Sequence, residues 1–386
     1  MKKLIALLLL CAVLPGLAGC GSIFEKEYVH ISEYSIPEQS KPSSDGKQTV
    51  RNIAALKQAI LNIVYSESGQ GSISFDASYE GDAVEDMASA CWQVRTQDAM
   101  CAYCVDNIAY ELNKIVNFYE AELSVTYSSV IQEADGIVRM QYATGLDEEL
   151  RKAFAHGKKK LALLISRSSY NAESMTALVE DYYRDNPYLA PSMPVVEVNM
   201  FSGSAMQKLY EINFGYDIHD RELRVRRNEM QTIKPFESMA VEELSQMEKA
   251  LLACDYLVNN CVYNGENAGN SIYSALVEKN ADSEGLSYAY VELCRQLGLD
   301  CRMISGQQNW QDHWWNIVKV DDEYYHLDLS LCMDGEYEDG FLLNDQTIWN
   351  THRWDVSSYP VCDGELIYGD VNEEDTHNSD EESSLS

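Results

Sequence analysis

The chain has little positive charge and no long apolar run, and each absence narrows the functions open to it. It holds 29 lysines and arginines against 62 aspartates and glutamates, and its formal net charge is −33. A surface this acidic repels nucleic-acid phosphates, so we expect no nucleic-acid partner. The apolar run from Leu4 to Leu14 is shorter than the about 20 residues that a membrane-spanning helix needs. This run is therefore not interpreted as a membrane span.

Sequence motifs for cofactors are also missing. The chain shows no nucleotide-binding loop, no metal-ligand spacing and no EF-hand loop, and we predict that it needs no cofactor and no metal. The pair Cys101-x-x-Cys104 lacks the second cysteine or histidine pair of a zinc finger. Both residues lie in a helical pattern, which favours buried free thiols over a metal or redox site. How the other cysteines pair is open.

The N-terminus has the pattern of an export signal. Lys2 and Lys3 precede the apolar run, and the small-residue segment Leu17-Ala18-Gly19-Cys20 follows it, as in a secretory signal peptide. This ending resembles the lipobox of bacterial lipoproteins, in which the cysteine is lipidated. The resemblance implies that residues 1–19 are removed and that Cys20 carries the lipid, palmitate included. The chain would then lie on the extracytoplasmic face of the cell membrane. The alternative is a soluble secreted protein with an incidental cysteine.

The composition changes along the chain predict further segments. Residues 20–50 mix charges with Pro37, Pro42 and serines and are predicted to be a flexible tether. Residues 370–386 carry mostly acidic and polar side chains and are predicted to be a disordered tail. Between them, we predict an α+β accessory domain at residues 51–235 and a second domain at residues 236–369.

The accessory domain shows a weak internal repeat. Two αβαβ units are predicted to form one domain, with helices on one side of a mostly antiparallel sheet. In this alignment Tyr79 corresponds to Tyr170 and Tyr127 corresponds to Tyr216. A helix over residues 98–113 belongs to the first unit. The basic runs Lys158–Lys160 and Arg221–Arg227 are more typical of a solvated surface than of a binding patch on so acidic a protein.

In the second domain, a helix begins close to Ser283. Leu286, Tyr290 and Leu293 share one face of it, and Gly298 is a natural C-terminal stop. A cysteine at the start of such a helix would be a ready nucleophile, but a serine there needs a base and an oxyanion hole. Serine is also among the best N-cap residues, so the alternative is that Ser283 only caps the helix.

A strand and a hairpin follow this helix, with a polar loop that ends at Asp312. Asp321-Asp322 is predicted to form a two-residue turn, which places residues whose numbers sum to 643 opposite each other. His313 and Asp328 are then diagonal neighbours on one face of the hairpin, close enough for a hydrogen bond that orients the imidazole. His326 lies on the same face, further from His313.

These segments resemble the transglutaminase-like family, which shares its fold and its Cys-His-Asp site with papain-type thiol proteases. The resemblance rests on the helix start Ser283-Glu284-Gly285 and on the hairpin strands His313-Trp314-Trp315-Asn316 and Tyr324-Tyr325-His326-Leu327-Asp328, and it continues through His352-Arg353-Trp354 to Tyr359-Pro360. It implies that Ser283 occupies the nucleophile position, His313 that of the base and Asp328 that of the orienting acid. The family's cysteine is replaced by Ser283.

The replacement favours a domain that has lost catalysis. We predict a membrane-anchored lipoprotein of the cell envelope whose inactive domain binds a peptide or protein segment, with Trp310 and Trp314 lining a cleft. Trp315 is predicted to be a core residue. The alternatives are an active peptidase or acyltransferase with a Ser283-His313-Asp328 triad, or a different cysteine in the nucleophile position. Cys294, the nearest in sequence, is a poor substitute because it lies nearly three helical turns away.

Overall fold

The computed structural model describes residues 47–366, apart from Glu67, 129–135 and 204–205, together with Tyr368. The predicted signal peptide, Cys20, most of the tether and the acidic tail lie outside the described residues. The tether prediction is wrong at its end, because strand β1 already begins at Lys47 and Val50 is buried in the core. In the described part of the chain, no helix combines the length and the apolarity needed to cross a bilayer.

The first part of the chain folds as a four-stranded sheet with three helices. The elements are β1 (Lys47–Asn52), α1 (Ile53–Val64), β2 (Gln70–Glu80), α2 (Ala83–Gln97), α3 (Ala99–Cys104), β3 (Val105–Ile115) and β4 (Phe118–Tyr127). The strand order is β1-β2-β4-β3; β1 runs parallel to β2, and the other pairs are antiparallel.

The predicted helix over residues 98–113 is wrong in its second half. Only Ala99–Cys104 is helical, and strand β3 starts at Val105. This strand pairs along its length with β4, so a partner beyond the local sequence decides its conformation.

The next part repeats this topology. Its elements are β5 (Ile137–Met140), α4 (Leu146–His156), β6 (Lys160–Ile165), α5 (Ala172–Asp185), β7 (Val195–Ser202) and β8 (Lys208–Gly215), followed by α6 (Asp220–Gln231). The strand order is β5-β6-β8-β7, and β5 runs parallel to β6, as β1 does to β2. The two units therefore share strand order and directions.

This topology supports the predicted repeat and corrects its form. Each unit opens with a parallel strand, β1 or β5, that the αβαβ prediction omitted, and each ends in two antiparallel strands. The two units form two sheets instead of one. The two missed opening strands are short, at six and four residues, and a short strand shows too little alternation to be recognised from sequence.

Strand β6 joins the two larger of the three hydrophobic cores in the described part of the chain. Leu161 and Leu163 belong to a core that continues to Leu286 and Leu293, whereas Leu164 belongs to the core under the first sheet. Residues on both sides of position 235 thus share one core. The predicted domain boundary at 235/236 is not marked by a break in packing and stays a prediction.

The last part of the described chain also combines helices and strands. Its elements are α7 (Gln246–Asn260), β9 (Val262–Tyr263), a π-helical turn (Ser274–Glu278), β10 (Asn280–Ala281), α8 (Ser283–Leu297), β11 (Cys301–Gln308), β12 (Gln311–Val320), β13 (Glu323–Leu327), α9 (Leu329–Asp334), α10 (Asp345–Ile348) and β14 (His352–Arg353). Strands β13-β12-β11-β14 form an antiparallel sheet. Twelve of the fifteen residues of α8 are buried, so neighbouring elements enclose this helix on every side.

The predicted hairpin register is confirmed. Val320 pairs with Glu323 and Asn316 with Leu327, and Asp321 and Asp322 have φ angles of 50° and 69°, as a two-residue type I′ turn requires. The polar loop predicted before Asp312 is wrong. Strand β11 runs to Gln308, and Asn309–Trp310 alone turn the chain into β12.

Candidate functional site

Asp282, and not Ser283, caps helix α8. The Asp282 carboxylate accepts a hydrogen bond from the backbone N–H of Gly285 at 2.9 Å, which satisfies one of the unpaired donors at the helix start. Ser283 is the first helical residue and is 8% exposed. The interpretation of Ser283 as an N-cap is therefore wrong, and its hydroxyl is not used in capping.

The start of α8 is packed tightly against the preceding chain. A Cβ atom on Gly285 would lie 2.9 Å from the carbonyl oxygen of Ser271 and 3.1 Å from that of Gly269. Only glycine lets these backbones approach so closely. The glycine two residues after Ser283 thus fixes how far the helix start sits from the 269–271 segment.

The hydroxyl of Ser283 faces strand β12. It accepts a hydrogen bond from the backbone N–H of Trp314 at 3.4 Å, a long contact. Burial raises the pKa of the neighbouring Asp282, and hydrogen bonds from the backbone N–H groups of Gly285 and Glu284 act against that rise. Helix α8 therefore begins beside the strand that carries His313.

His313 and Asp328 form the predicted contact. Nε2 of His313 lies 2.9 Å from Oδ2 of Asp328, and the side chains are 5% and 1% exposed. Burial by itself raises the pKa of Asp328, but hydrogen bonds from His313 and His352 outweigh it and hold this pKa well below its usual range. An ionised carboxylate only accepts hydrogen bonds, so Nε2 of His313 carries the proton. In the part of the chain that the structure describes, Nδ1 of His313 has no hydrogen-bond partner.

Asp328 is held by a second histidine that the sequence analysis gave no role. Nε2 of His352, on β14, lies 3.0 Å from the same Oδ2 atom, and its Nδ1 lies 2.8 Å from the hydroxyl of Thr351. Ser330 donates to Oδ1 through its backbone N–H and its hydroxyl. His352 reaches the site because β14 pairs with β11, opposite Gln308. No local signal announces this pairing between positions 44 residues apart in sequence.

His326 belongs to a separate hydrogen-bonded group behind Trp315. The indole N–H of Trp315 donates to Nδ1 of His326 at 3.0 Å, so the proton of this imidazole is on Nε2, which lies 2.8 Å from Asp345. Burial lowers the pKa of His326, and Asp345 only partly opposes this. His326 is thus a neutral, fully buried imidazole.

Two groups of side chains are close enough for a metal ion: His313, Asp328 and His352, and His326, Asp345 and Cys362, with ligand atoms within 4.8 Å in each group. Without an ion, the imidazole nitrogens that face the carboxylate in each group donate hydrogen bonds to it, and a metal would have to displace those protons. Burial also raises the pKa of the Cys362 thiol, whereas metal binding needs the thiolate. The prediction of no metal stays a prediction.

The tryptophans occupy three environments. Trp315 is fully buried, which confirms it as a core residue, and Trp310 is 79% exposed in the β11–β12 turn. Trp314 is half-buried beside Ser283. A cavity of about 680 Å³ lies against the other end of α8, at Glu292, Arg295 and Gln296, away from Ser283. The cleft prediction for Trp310 and Trp314 stays a prediction.

The cysteines near the site are core residues. Cys254 and Cys294 are fully buried, and among the described residues all cysteines are free thiols. Cys101 and Cys104 are buried as well, as predicted. Cys294 lies three turns along α8 from Ser283 and does not take the nucleophile position.

Comparison with known proteins identifies the domain. Residues 237–329 match the model of the transglutaminase-like superfamily, so this part of the chain is a transglutaminase-like domain, as the sequence resemblance implied. The match ends one residue after Asp328, and the predicted continuation to Tyr359-Pro360 lies beyond it. No curated protein matches the chain.

Three solved structures show a distant similarity. One is a TGase, with 12% identity, a TM-score of 0.22 and coverage of 54% of this chain and 60% of that one. A candidate cysteine protease from Cytophaga hutchinsonii has 11% identity, a TM-score of 0.24 and coverage of 43% and 69%. A candidate protease from Parabacteroides distasonis ATCC 8503 has 9% identity, a TM-score of 0.20 and coverage of 67% and 39%. Scores this low carry no argument about function.

Proposed function

We propose that the transglutaminase-like domain is a peptide- or protein-binding module of the cell envelope that has lost acyl-transfer chemistry. One observation carries this proposal: the hydroxyl at the nucleophile position bonds to the backbone N–H of Trp314, not to the imidazole of His313. A serine nucleophile depends on a base that takes its proton. A thiol needs less help, because a helix N-terminus lowers its pKa. The replacement of cysteine by serine thus removes the group that the helix start could activate.

A second candidate is an acyl-transfer enzyme with a Ser283-His313-Asp328 triad. It is favoured by the state of His313, whose Nε2 is held by Asp328 while Nδ1 has no partner among the described residues. An imidazole in this tautomer is ready to act as a general base through Nδ1. The two candidates differ in whether Ser283 moves onto that nitrogen when substrate binds.

Substitutions at Ser283 separate the two candidates. We expect the unmodified protein and Ser283→Ala to show the same lack of hydrolysis and amine transfer on glutamine-containing peptides. Ser283→Cys is expected to gain turnover, because the thiol restores the nucleophile beside an intact base. His313→Ala in the Ser283→Cys background should lower that turnover by about 10²–10⁴-fold, the usual contribution of a general base.

The matched control is Ser287→Cys, a buried serine one turn further along the same helix, which should gain nothing. Turnover by the unmodified protein that disappears in Ser283→Ala would establish the triad enzyme instead. Binding is tested separately, since Ser283→Ala should retain any peptide that the unmodified protein retains.

The location of the protein is part of the same proposal. We expect Cys20 to be lipidated and the chain to be held on the extracytoplasmic face of the membrane, because the Leu17-Ala18-Gly19-Cys20 segment follows a signal-like apolar run. Labelling with radioactive palmitate and membrane fractionation should give a labelled, membrane-bound chain. Cys20→Ala should lose both label and membrane association. Cys11→Ala, a cysteine of the same segment outside the lipobox, should keep both; label that persists in Cys20→Ala contradicts the proposal.

A further inference from the structure

Arg227 is a buried cation with two donor atoms left unpaired in the part of the chain that the structure describes. It lies on α6, is 7% exposed, and its Nε and Nη2 atoms have no partner among the described residues. Leaving a charged donor buried and unpaired is strongly unfavourable in a folded protein. On a chain with net charge −33, an acidic side chain beside Arg227 would be the ordinary solution, and no ion pair to Arg227 is present in the described part of the chain.

A second unpaired polar group lies beside it. The hydroxyl of Tyr216, just after β8, is buried and has no partner within the described ranges. Burial raises the pKa of this tyrosine to about 12, and the charge of Arg227 acts against the rise. Arg227 also lies close to Gly157, where a Cβ atom would come within 2.7 Å of Nη2. The unpaired groups of Arg227 and Tyr216 are therefore close enough to interact electrostatically, and the missing side chain of Gly157 gives the guanidinium its space.

The end of helix α4 does not supply the missing acceptors. Its negative dipole end favours a nearby cation. However, the carbonyl of Ala153 already accepts from the N–H of Lys158, and that of Phe154 from the N–H of Gly157. The dipole of α4 thus compensates part of the Arg227 charge, but the helix end provides none of the missing hydrogen bonds.

Two basic runs that the sequence analysis treated as plain surface meet here. Arg227 comes from the run Arg221–Arg227, and Lys158–Lys160 follows Gly157 directly. The ammonium of Lys159 lies 5.7 Å from the centre of the Tyr216 ring and 2.8 Å from Asp220. Lys159 is exposed and Gly157 is half-buried, so the unpaired donors lie just beneath the surface.

We propose that Arg227 and Tyr216 form a binding site for a small oxyanion of the phosphate class. The Nε and Nη2 atoms form the edge of the guanidinium that holds two oxygens of one anion in parallel. The tyrosine hydroxyl donates a further hydrogen bond, and the ion pair of Lys159 with Asp220 lies at the rim. Such an anion satisfies every orphaned donor of the cluster. Its source is either free phosphate or the phosphate of a membrane lipid headgroup.

Thermal unfolding of the full-length chain tests the site. We compare potassium phosphate with potassium chloride at equal ionic strength. Phosphate should raise the melting temperature by about 2 °C or more, because a ligand that binds only the folded state stabilises it. Arg227→Met should abolish this shift and Tyr216→Phe should reduce it. The lipid arm measures co-sedimentation with vesicles that contain phosphatidic acid.

The matched control is Arg224→Met, an exposed arginine of the same helix, which should keep the full phosphate shift. In chloride, Arg227→Met should melt no lower than the unmodified protein, because it removes an unpaired buried charge. A response to phosphate alone identifies free phosphate as the source, and Arg227-dependent sedimentation with vesicles identifies the lipid. The site is refuted if neither arm responds, or if the response survives in Arg227→Met. Should Arg227→Met not fold, a phosphate shift that is undiminished in Tyr216→Phe refutes it.

Discussion

Asp328→Ala should lower the free energy of unfolding by about 3–5 kcal/mol, the usual cost of removing one partner of a buried charge cluster. The Asp328 side chain is 1% exposed and accepts hydrogen bonds from His313, His352 and Ser330. Alanine leaves two imidazole N–H groups and the Ser330 donors without an acceptor in a water-excluded place. Chemical denaturation followed by circular dichroism measures the change.

The matched control is Asp322→Ala in the β12–β13 turn, where the carboxylate pairs only with Lys319 and its side chain is 96% exposed. This control should lower the free energy of unfolding by only about 1 kcal/mol, because alanine fits the positive φ of this turn position less well than aspartate does. Asp328→Asn should fall between the two, because the amide keeps one acceptor oxygen but turns an NH₂ group towards a donor. A loss in Asp328→Ala no larger than in Asp322→Ala would show that the histidines do not depend on this carboxylate.

Stability should fall as the pH drops below about 6.5, the ordinary pKa of histidine. The folded protein holds His326 neutral, because burial lowers its pKa, while the same residue in the unfolded chain takes up a proton near pH 6.5. Below that pH the unfolded state binds the extra proton and is favoured by up to about 1.4 kcal/mol per pH unit for one histidine. The loss ends once the pH falls through the folded pKa. The free energy of unfolding measured from pH 7.5 to pH 5 checks this.

We expect two variants to change this pH dependence in different ways. His326→Gln removes the titrating group and should flatten the pH dependence. Asp345→Asn removes the charge that raises the pKa of His326, so the folded imidazole resists protonation to lower pH and the loss continues further. His352 also faces His326, and its charge acts to lower the pKa of His326. An unchanged slope in His326→Gln would assign the pH dependence to other groups.

Asp328 should cause a second loss of stability at more acidic pH. Its folded pKa lies well below the ordinary value of 3.8, so its contribution is present above pH 3.8 and disappears as the pH falls further, towards the folded pKa. The loss of stability caused by His326 begins near pH 6.5, whereas the loss caused by Asp328 begins only near pH 3.8. Measurements between pH 7 and pH 5 therefore report on His326 and leave Asp328 ionised in both states.

Local sequence rules predicted the helix and the hairpin of the site. The spacing of Leu286, Tyr290 and Leu293 and the stop at Gly298 describe α8 as it stands, with Gly298 at φ 74°. The Asp321-Asp322 turn sets the register of β12 and β13, and that register brings His313 to Asp328. These contacts arise within 16 residues, where turn geometry determines which side chains meet.

The same local rules did not predict contacts between residues that are distant in sequence. His352 reaches Asp328 through the pairing of β14 with β11, which no spacing encodes. Asp282 and Ser283 are both good N-cap residues by type, and only the tight packing of Gly285 against the 269–271 segment decides which of the two begins the helix. The unpaired donors of Arg227 and Tyr216 come from a basic run and from the end of a strand, and no sequence pattern links these two segments.

The sequence by itself predicted helix α8, the β12–β13 hairpin and the His313–Asp328 pair, because helix periodicity and a two-residue turn act over short distances. The transglutaminase-like domain came from the sequence resemblance, and the family match over residues 237–329 supports it. Only the tertiary structure decided what surrounds that pair. It placed a second histidine on the carboxylate, removed Ser283 from its capping role and turned its hydroxyl to the backbone of Trp314. The reason is physical: hydrogen bonds to a buried carboxylate depend on which distant strands pack beside it, and that depends on the whole core.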